Sequence, residues 1–191
     1  GHLSLYQLII EPGTAFYTRH QRGDFELPSE EESARLYDLT RDIVAQHHYQ
    51  DYEVSNYAQP GQECRHNLLY WHYEDYVCIG PGAHGRLGLE GKKFAIKNYK
   101  APETWLEKVK VYGHGQEVFE DLTASDQVIE RLLMGLRLKT GISKKDFQTM
   151  HGVPLIDILD PQKVTLLKDL GFCSESETHF AVTTPGMLRL N

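Results

Sequence analysis

The sequence predicts an α/β protein that begins with strand–helix–strand units and ends with a small helical, winged-helix-like domain. Two observations lead to this prediction. In the first half, short apolar runs of strand length flank a capped amphipathic helix, and in the second half three helices precede a hairpin pattern. A polar stretch between the halves places the expected boundary between domains 1–115 and 116–191.

The first half has the pattern of a parallel βαβ unit. Residues 3–10 are a mostly apolar run ending in β-branched side chains, which is typical of a strand buried on both faces of a parallel sheet. A helix is predicted to begin at Ser29, which forms a capping box with Glu32. Further strands are predicted at residues 52–55 and 76–79, so that the helix connects parallel strands.

Two more elements are predicted before the boundary. Apolar residues within the range 87–96 flank a Glu90-Gly91 turn, which indicates a small antiparallel hairpin. A helix is expected from about residue 102 to residue 112, and the polar residues 113–122 are interpreted as a linker.

The second half carries clear helix-start signals. Thr123 and Asp126 cap a long amphipathic helix, Ser143 begins a short one, and Pro161 occupies the first position of a third. Residues 172–190 alternate around a polar turn, as the strands of a hairpin do. Three helices and a hairpin predict a winged-helix-like module.

Composition and charge exclude several classes of protein. The 191 residues carry a formal net charge of −7, which gives no overall attraction to nucleic acid or to an anionic membrane. No apolar run reaches the ~18 residues of a membrane span, and the first residues lack the basic region of a signal peptide. Three scattered cysteines argue against a disulfide framework and against a structural zinc site. We therefore expect a cytoplasmic protein without a membrane span.

Two segments carry residues suited to binding. Residues 80–85, Gly-Pro-Gly-Ala-His-Gly, follow the third predicted strand, where glycine lets the backbone approach a ligand closely. Residues 65–71 place an arginine, an imidazole, an amide, a phenol and an indole in seven positions, and imidazole is a common ligand of heme iron. From the residues alone, a tight turn explains the first segment at least as well, and a polar-aromatic loop explains the second better.

Together these pieces resemble the radical-SAM family of oxygen-independent coproporphyrinogen III oxidases and its heme-chaperone branch. Residues 5–14, 52–58, 66–71 and 80–85 occur here in the order of the family's segments. The H-N-x-x-Y-W pattern of residues 66–71 is similar to the signature of the chaperone branch. The resemblance covers essentially the whole chain.

The resemblance implies the C-terminal part of a partial (β/α) barrel followed by a C-terminal accessory domain. Family members hold a [4Fe–4S] cluster with a C-x-x-x-C-x-x-C motif and bind S-adenosylmethionine, and this sequence contains no such motif. We therefore expect the chain to be part of a longer protein, with no cluster ligands and no radical activity of its own. The missing half of the barrel would leave apolar faces uncovered, which favours self-association.

The resemblance also implies the residues of two sites. The positions expected to contact S-adenosylmethionine are Ala58, Gly80, Gly82 and His84. The positions expected to contact heme are His66, Asn67, Tyr70 and Trp71. His66 is the expected ligand of the heme iron, and no catalytic residue is identified.

The preferred functional hypothesis is a heme-binding chaperone that delivers heme. The alternative is an oxygen-independent coproporphyrinogen III oxidase, which oxidatively decarboxylates propionates in porphyrin synthesis. A third hypothesis, nucleic-acid binding by the winged-helix-like module, is disfavoured because Lys163 and Lys168 on its third helix are accompanied by Asp169, which leaves no basic recognition face. The expected partner is a tetrapyrrole, either heme or coproporphyrinogen.

Overall fold

The computed structural model describes residues 1–190 of the chain. Its contacts form two compact units, Gly1–Cys64 and Arg65–Asn191, and each is described by itself. The last residue of the predicted domain 116–191 lies outside the described residues. The predicted boundary between residues 115 and 116 stays a prediction.

The first unit combines a small sheet with two helices. Its elements are β1 (His2–Ser4), α1 (Ala15–Gln21), α2 (Glu30–Gln46), β2 (Gln50–Asp51) and β3 (Asn56–Ala58). The strand order is β1–β3–β2, and both outer strands run antiparallel to β3. The predicted capping box at the start of α2 is confirmed, since the Ser29 hydroxyl accepts from the Glu32 amide and the Glu32 carboxylate accepts from the Ser29 amide.

The prediction of parallel neighbouring strands is wrong for the described residues of this unit. The strand predicted at residues 3–10 is reduced to the three residues of β1. Beyond β1, the Leu5 amide still donates to the Ser55 carbonyl, next to β3, at 2.9 Å. A strand needs a hydrogen-bonding neighbour along its length, so residues 6–9 remain irregular and exposed.

The strand predicted at residues 52–55 is also wrong. This segment forms the turn between β2 and β3. Glu53 is buried there, and one of its carboxylate oxygens accepts hydrogen bonds from the Ser55 amide, at 2.9 Å, and from the Asn56 side chain. A side chain that bonds to nearby polar groups in this way stabilises a turn in place of a continued ladder.

The second unit begins with a helix and an antiparallel sheet. The elements are α3 (Arg65–Trp71), β4 (His84–Leu89), β5 (Lys92–Asn98), α4 (Pro102–Tyr112) and β6 (Gln116–Asp121). The sheet order is β4–β5–β6, with antiparallel neighbours. The predicted hairpin and the helix at 102–112 are confirmed. The predicted linker is wrong at residues 116–121, because this segment pairs with β5.

Residues 76–79, predicted as a third buried strand, run beside β4 as an extended edge segment, so this prediction is wrong. Tyr76 pairs with Arg86 as an isolated bridge. Gly85 permits the close approach, because a methyl group on its Cα would lie 3.0 Å from the Tyr76 carbonyl oxygen. Alternate side chains of the segment point to solvent, and Ile79 is 84% exposed.

The remaining residues form the helical, winged-helix-like part that the sequence predicts. Its elements are α5 (Ala124–Gly135), β7 (Ile142–Ser143), α6 (Lys144–His151), α7 (Leu155–Ile158), α8 (Pro161–Asp169), β8 (Cys173–Glu175), β9 (His179–Val182) and α9 (Thr184–Met187). The strands form an antiparallel sheet of order β7–β9–β8, which confirms the C-terminal hairpin. The core residues are Ile142, Phe147, Leu155, Val164 and Phe180. The caps predicted at Thr123 and Ser143 are confirmed, as is the predicted position of Pro161 in the first turn of α8.

Two features are absent from residues 1–190. No helix in this range is both long and apolar enough to cross a bilayer. Within the same range, no group of three or more histidine, cysteine, aspartate or glutamate side chains is arranged to hold a metal ion.

Candidate functional site

The segment interpreted from the sequence as a polar-aromatic loop is the helix α3, so that interpretation is wrong. In a helix, side chains four residues apart lie on the same side. The H-N-x-x-Y-W spacing therefore places His66 beside Tyr70 and Asn67 beside Trp71. The motif thus describes two neighbouring pairs, the members of each pair lying about one helical turn apart.

The His66–Tyr70 pair is in direct contact. The Tyr70 hydroxyl and the His66 Nε2 are 2.8 Å apart, and the two rings meet edge to face with centroids 4.7 Å apart. Tyr70 in turn packs edge to face on Tyr76, with centroids 4.4 Å apart. The imidazole of His66 is exposed and is held by an aromatic side chain that is itself partly buried.

The C-terminal end of α3 is closed by a turn with an unusual residue. The Tyr73 amide donates to the Tyr70 carbonyl at 2.9 Å, and the Glu74 amide donates to the Leu69 carbonyl at 3.0 Å. This pattern is a Schellman turn, which usually carries glycine at the position of Tyr73. Tyr73 has a φ of 60°, in the left-handed region that non-glycine residues seldom adopt.

Tyr73 is held in this conformation by a side-chain network. It is buried, and its hydroxyl donates to the Glu130 carboxylate at 2.7 Å. The Arg86 guanidinium donates to both oxygens of the same carboxylate, with Nε at 2.9 Å and Nη2 at 2.6 Å. Burial alone would raise the pKa of Glu130, but the hydrogen bonds from Arg86 and Tyr73 outweigh it and the pKa is lowered. The network joins α3, β4 and α5.

Trp71 lies on the opposite side of α3 from the exposed imidazole and contacts α5 and the turn after it. The Arg131 Nη1 donates to the Trp71 carbonyl at 2.9 Å, and the Arg137 guanidinium lies 5.2 Å from the centre of the indole ring. With apolar side chains that include Leu132 and Leu136, the indole lines a cavity of about 370 Å³. The indole Nε1 is buried and has no hydrogen-bond partner among residues 1–190.

The predicted S-adenosylmethionine contacts are divided between the two units. Ala58 is buried in β3 of the first unit. Gly80, Gly82 and His84 lie together in the second unit, where both glycines have positive φ and His84 is exposed at the start of β4. The turn is fixed to β5, since the Asn98 side chain donates to the Gly80 carbonyl at 2.8 Å. A tight turn needs these glycines whether or not a ligand is bound.

The residues of α3 suit heme chemically. An exposed imidazole is available, the Tyr70 ring lies against it, and Tyr76 packs on Tyr70. The geometry adds one condition, because binding of iron by Nε2 requires the Tyr70 hydroxyl to release that nitrogen. For S-adenosylmethionine, the space around Gly80 is open, since no atom beyond the two adjacent residues lies within 4 Å of where a Cβ would be. This leaves room for a ligand beside the backbone.

The proposed recognition helix of the winged-helix-like part is not a free basic surface. Lys168 on α8 pairs with Glu175 at 2.9 Å, and Lys144 pairs with the same carboxylate at 2.6 Å. These ion pairs neutralise basic groups that phosphate binding would require.

Sequence reasoning did not find the residues that hold α3. Arg86, Glu130, Arg131 and Arg137 carry no motif and lie far from residues 65–71 along the chain. The detectable signal is in α5, where Arg131 occupies the helix face shared with Val128, Leu132 and Gly135 and is only 3% exposed. A charged residue at an apolar position of an amphipathic helix indicates a specific polar contact.

Comparison with known proteins agrees with the resemblance noted in the sequence. Residues 122–189 match the family described as the HemN C-terminal domain. The chain is 34% identical over 187 residues to a protein of Bacillus subtilis named heme chaperone HemW. This match covers 98% of the present chain and 48% of the relative. It is 36% identical over 152 residues to bovine radical S-adenosyl methionine domain-containing protein 1, mitochondrial, covering 77% of this chain and 34% of the relative.

Among solved structures, the fold matches that of coproporphyrinogen III oxidase (HemN) from Escherichia coli, a protein described as a radical SAM enzyme. The TM-score is 0.70 at 18% sequence identity, over 99% of this chain and 46% of the other. The present chain thus spans about half the length of HemN and of the Bacillus relative. Residues 122–189 thus match the HemN C-terminal domain, and nearly the whole chain is similar to the heme-chaperone relatives of the HemN-like radical-SAM family.

Proposed function

We propose that the protein binds heme through α3 and acts as a heme chaperone. The observation that carries this proposal is the exposed imidazole of His66, held at 2.8 Å by Tyr70 on a helix whose sequence has the H-N-x-x-Y-W spacing. Relatives that match 98% and 100% of this chain are named heme chaperone HemW. Heme, when bound, would supply an iron that an imidazole nitrogen can bind, and His66 would hold it there.

Within this proposal the residues of α3 have different tasks. His66 provides the nitrogen ligand. Tyr70 holds the ring in place through Nε2 before heme arrives, and it must release that nitrogen if Nε2 is the ligand. Arg65 is exposed on the same helix and is suited to pair with a propionate.

Binding of S-adenosylmethionine is proposed for the whole protein, with Ala58, Gly80, Gly82 and His84 contributing backbone and side-chain contacts. Support comes from the open backbone at Gly80 and from the name of the bovine relative. The ligands of a [4Fe–4S] cluster would then be supplied by another part of the protein. The expected location is the cytoplasm.

The oxidase alternative is less well supported than the chaperone. The likeness to HemN is at 18% identity and concerns the fold, whereas two relatives above 30% identity, which match 98% and 100% of this chain, carry the chaperone name. An anaerobic assay of the whole protein separates the two. Formation of protoporphyrinogen from coproporphyrinogen III would favour the oxidase, and heme binding without turnover favours the chaperone.

The test of the proposal is a spectroscopic titration of the chain with hemin. We expect His66→Ala to raise the Kd for hemin at least about tenfold, because the iron loses its axial ligand. We expect Tyr70→Phe to lower the Kd about fivefold if Nε2 is the ligand, since one hydrogen bond no longer has to be broken.

A matched control is required because the chain has ten histidines and hemin binds exposed imidazoles adventitiously. His114→Ala removes an exposed imidazole of the same unit outside α3 and is expected to leave the Kd unchanged. Equal titration curves for the wild type and His66→Ala would contradict the role assigned to His66.

A further inference from the structure

The four motif residues of α3 do not share one environment. The His66–Tyr70 pair presents an imidazole to solvent, whereas Trp71 packs on α5 and on the turn that follows it. A residue that stacked on a flat ligand would present an open ring face. The indole face of Trp71 is instead covered by the guanidinium of Arg137, 5.2 Å from its centre.

The indole nitrogen gives an independent indication. Trp71 Nε1 is buried and has no partner among residues 1–190. A buried indole normally pairs its N–H, so the contribution of this side chain lies in its shape and its π face. A cation over such a face is attracted more strongly when both groups are removed from water.

The backbone of Trp71 is fixed as well. Its carbonyl lies at the negative end of α3 and accepts from Arg131, which is 3% exposed. Burying a guanidinium is costly, and Nη1 of this one donates a hydrogen bond to that carbonyl at 2.9 Å. The carboxylates of Asp146 and Glu74 partly offset its charge. The helix end is thus held by a strong, directed contact.

These contacts place the two sides of α3 in different roles. We propose that Trp71 is a positioning residue: together with Arg131 and Arg137 it anchors α3 on the HemN C-terminal domain, and in this way it sets the place of His66 without contacting the tetrapyrrole. The C-terminal domain then acts as the support of the ligand helix. The inference rests on the proposed heme binding at His66.

A double-mutant cycle on hemin affinity tests the inference. Trp71→Ala and Arg137→Ala are each expected to raise the Kd for hemin about tenfold, since each removes the same cation–π contact. Because both substitutions remove the same contact, the double variant should bind hemin with a Kd no higher than that of the single variant with the higher Kd. Additive effects would mean that Trp71 contacts the tetrapyrrole itself, and would overturn the inference.

Two further variants keep the cycle interpretable. Trp71→Phe is expected to retain wild-type affinity, because the ring face remains and the lost N–H has no partner. Arg189→Ala removes an arginine that makes the same kind of contact with a ring outside α3, 5.6 Å from the centre of Phe172, and should leave the Kd unchanged. An equal loss of hemin affinity in Arg189→Ala and Arg137→Ala would mean that general destabilisation causes it. This result would contradict the positioning role of Trp71.

Hydrogen exchange of the hemin-free chain separates this inference from the proposed function. The amides of His72, Tyr73 and Glu74 donate to the last carbonyls of α3. Arg137→Ala and Arg131→Met should speed their exchange at least about tenfold, with little change in the β5 amides. Unchanged exchange of these amides in both variants would refute the anchoring role of the two arginines, even if His66 binds heme. Faster exchange combined with an unaffected Kd in His66→Ala would uphold the anchor and refute the heme site.

Discussion

At the scale of the residue, the Glu130 carboxylate is the common acceptor of the hydrogen bonds that hold the end of α3. It accepts from Arg86 and from the buried Tyr73 hydroxyl, and its pKa is lowered below the ordinary 4.5. A carboxyl with a lowered folded-state pKa stabilises the protein fully above the unfolded value. That contribution is lost as the pH falls below about 4.5 and through the folded pKa.

We therefore expect Glu130→Gln to be about 2 kcal/mol less stable than the wild type at pH 7, and to lose less stability between pH 7 and pH 3. Urea unfolding at several pH values measures both effects. Glu117→Gln, which breaks the exposed pair with Lys97, is the control and should cost less than about 1 kcal/mol. Parallel pH profiles for the wild type and Glu130→Gln would contradict the coupling.

Residue types and spacing could predict the motif but not its environment. His66, Asn67, Tyr70 and Trp71 stand out in the sequence, yet their division between an exposed and a docked side appears only once the segment is known to be helical. The partners of Trp71 lie about sixty residues along the chain. The contact of these partners with Trp71 depends on tertiary packing, which cannot be predicted from a local sequence pattern.

At the scale of the element, Gly85 decides whether the segment of residues 76–79 can lie beside β4. A Cβ at this position would lie 3.0 Å from the Tyr76 carbonyl oxygen and 3.1 Å from the Cys78 nitrogen, both backbone atoms with little freedom to move. We expect Gly85→Ala to lower the free energy of unfolding by about 2 kcal/mol. Chemical denaturation checks this.

Gly88→Ala is the matched control on the same strand. Its added methyl group would meet the end of the Asp75 side chain at 3.0 Å. This carboxylate accepts from the Gly88 amide and from Lys93, but the end of a side chain shifts more easily than backbone atoms do. The cost should therefore be smaller than at Gly85. Equal costs at the two glycines would show that the edge segment has no bearing on stability.

Helices could be predicted from the sequence far better than strands. The capping boxes at Ser29 and Thr123 and the proline at the start of α8 are local signals, and the structure has all three. A strand depends on a partner elsewhere in the chain. Residues 6–9 lack such a partner among the described residues, and residues 116–121 have one in β5 that their polar composition concealed.

At the scale of the whole molecule, the first unit exposes a large amount of apolar surface. On α2, Leu36, Leu39 and Ile43 are each about half exposed, and Leu8 and Ile9 in the irregular segment are more so. Contiguous exposed apolar surface of this kind drives association. We expect the chain to self-associate as its concentration rises.

The measurement is sedimentation velocity over a range of concentrations. Leu39→Glu should shift the distribution toward monomer, because it places a charge in the middle of the exposed face of α2. Leu106→Glu, at a similarly exposed leucine of α4 in the second unit, is the control and should leave the distribution unchanged. A monomer at all concentrations would refute the expectation.

The left-handed Tyr73 has a consequence for the order in which the chain folds. A glycine at this position could end α3 by itself, but a tyrosine costs free energy there until its hydroxyl reaches Glu130 on α5. The end of α3 is therefore unfavourable in isolation. In pulse-labelling experiments during refolding, the Tyr73 and Glu74 amides should become protected only when those of α5 do, so the end of α3 forms together with α5 and not before it.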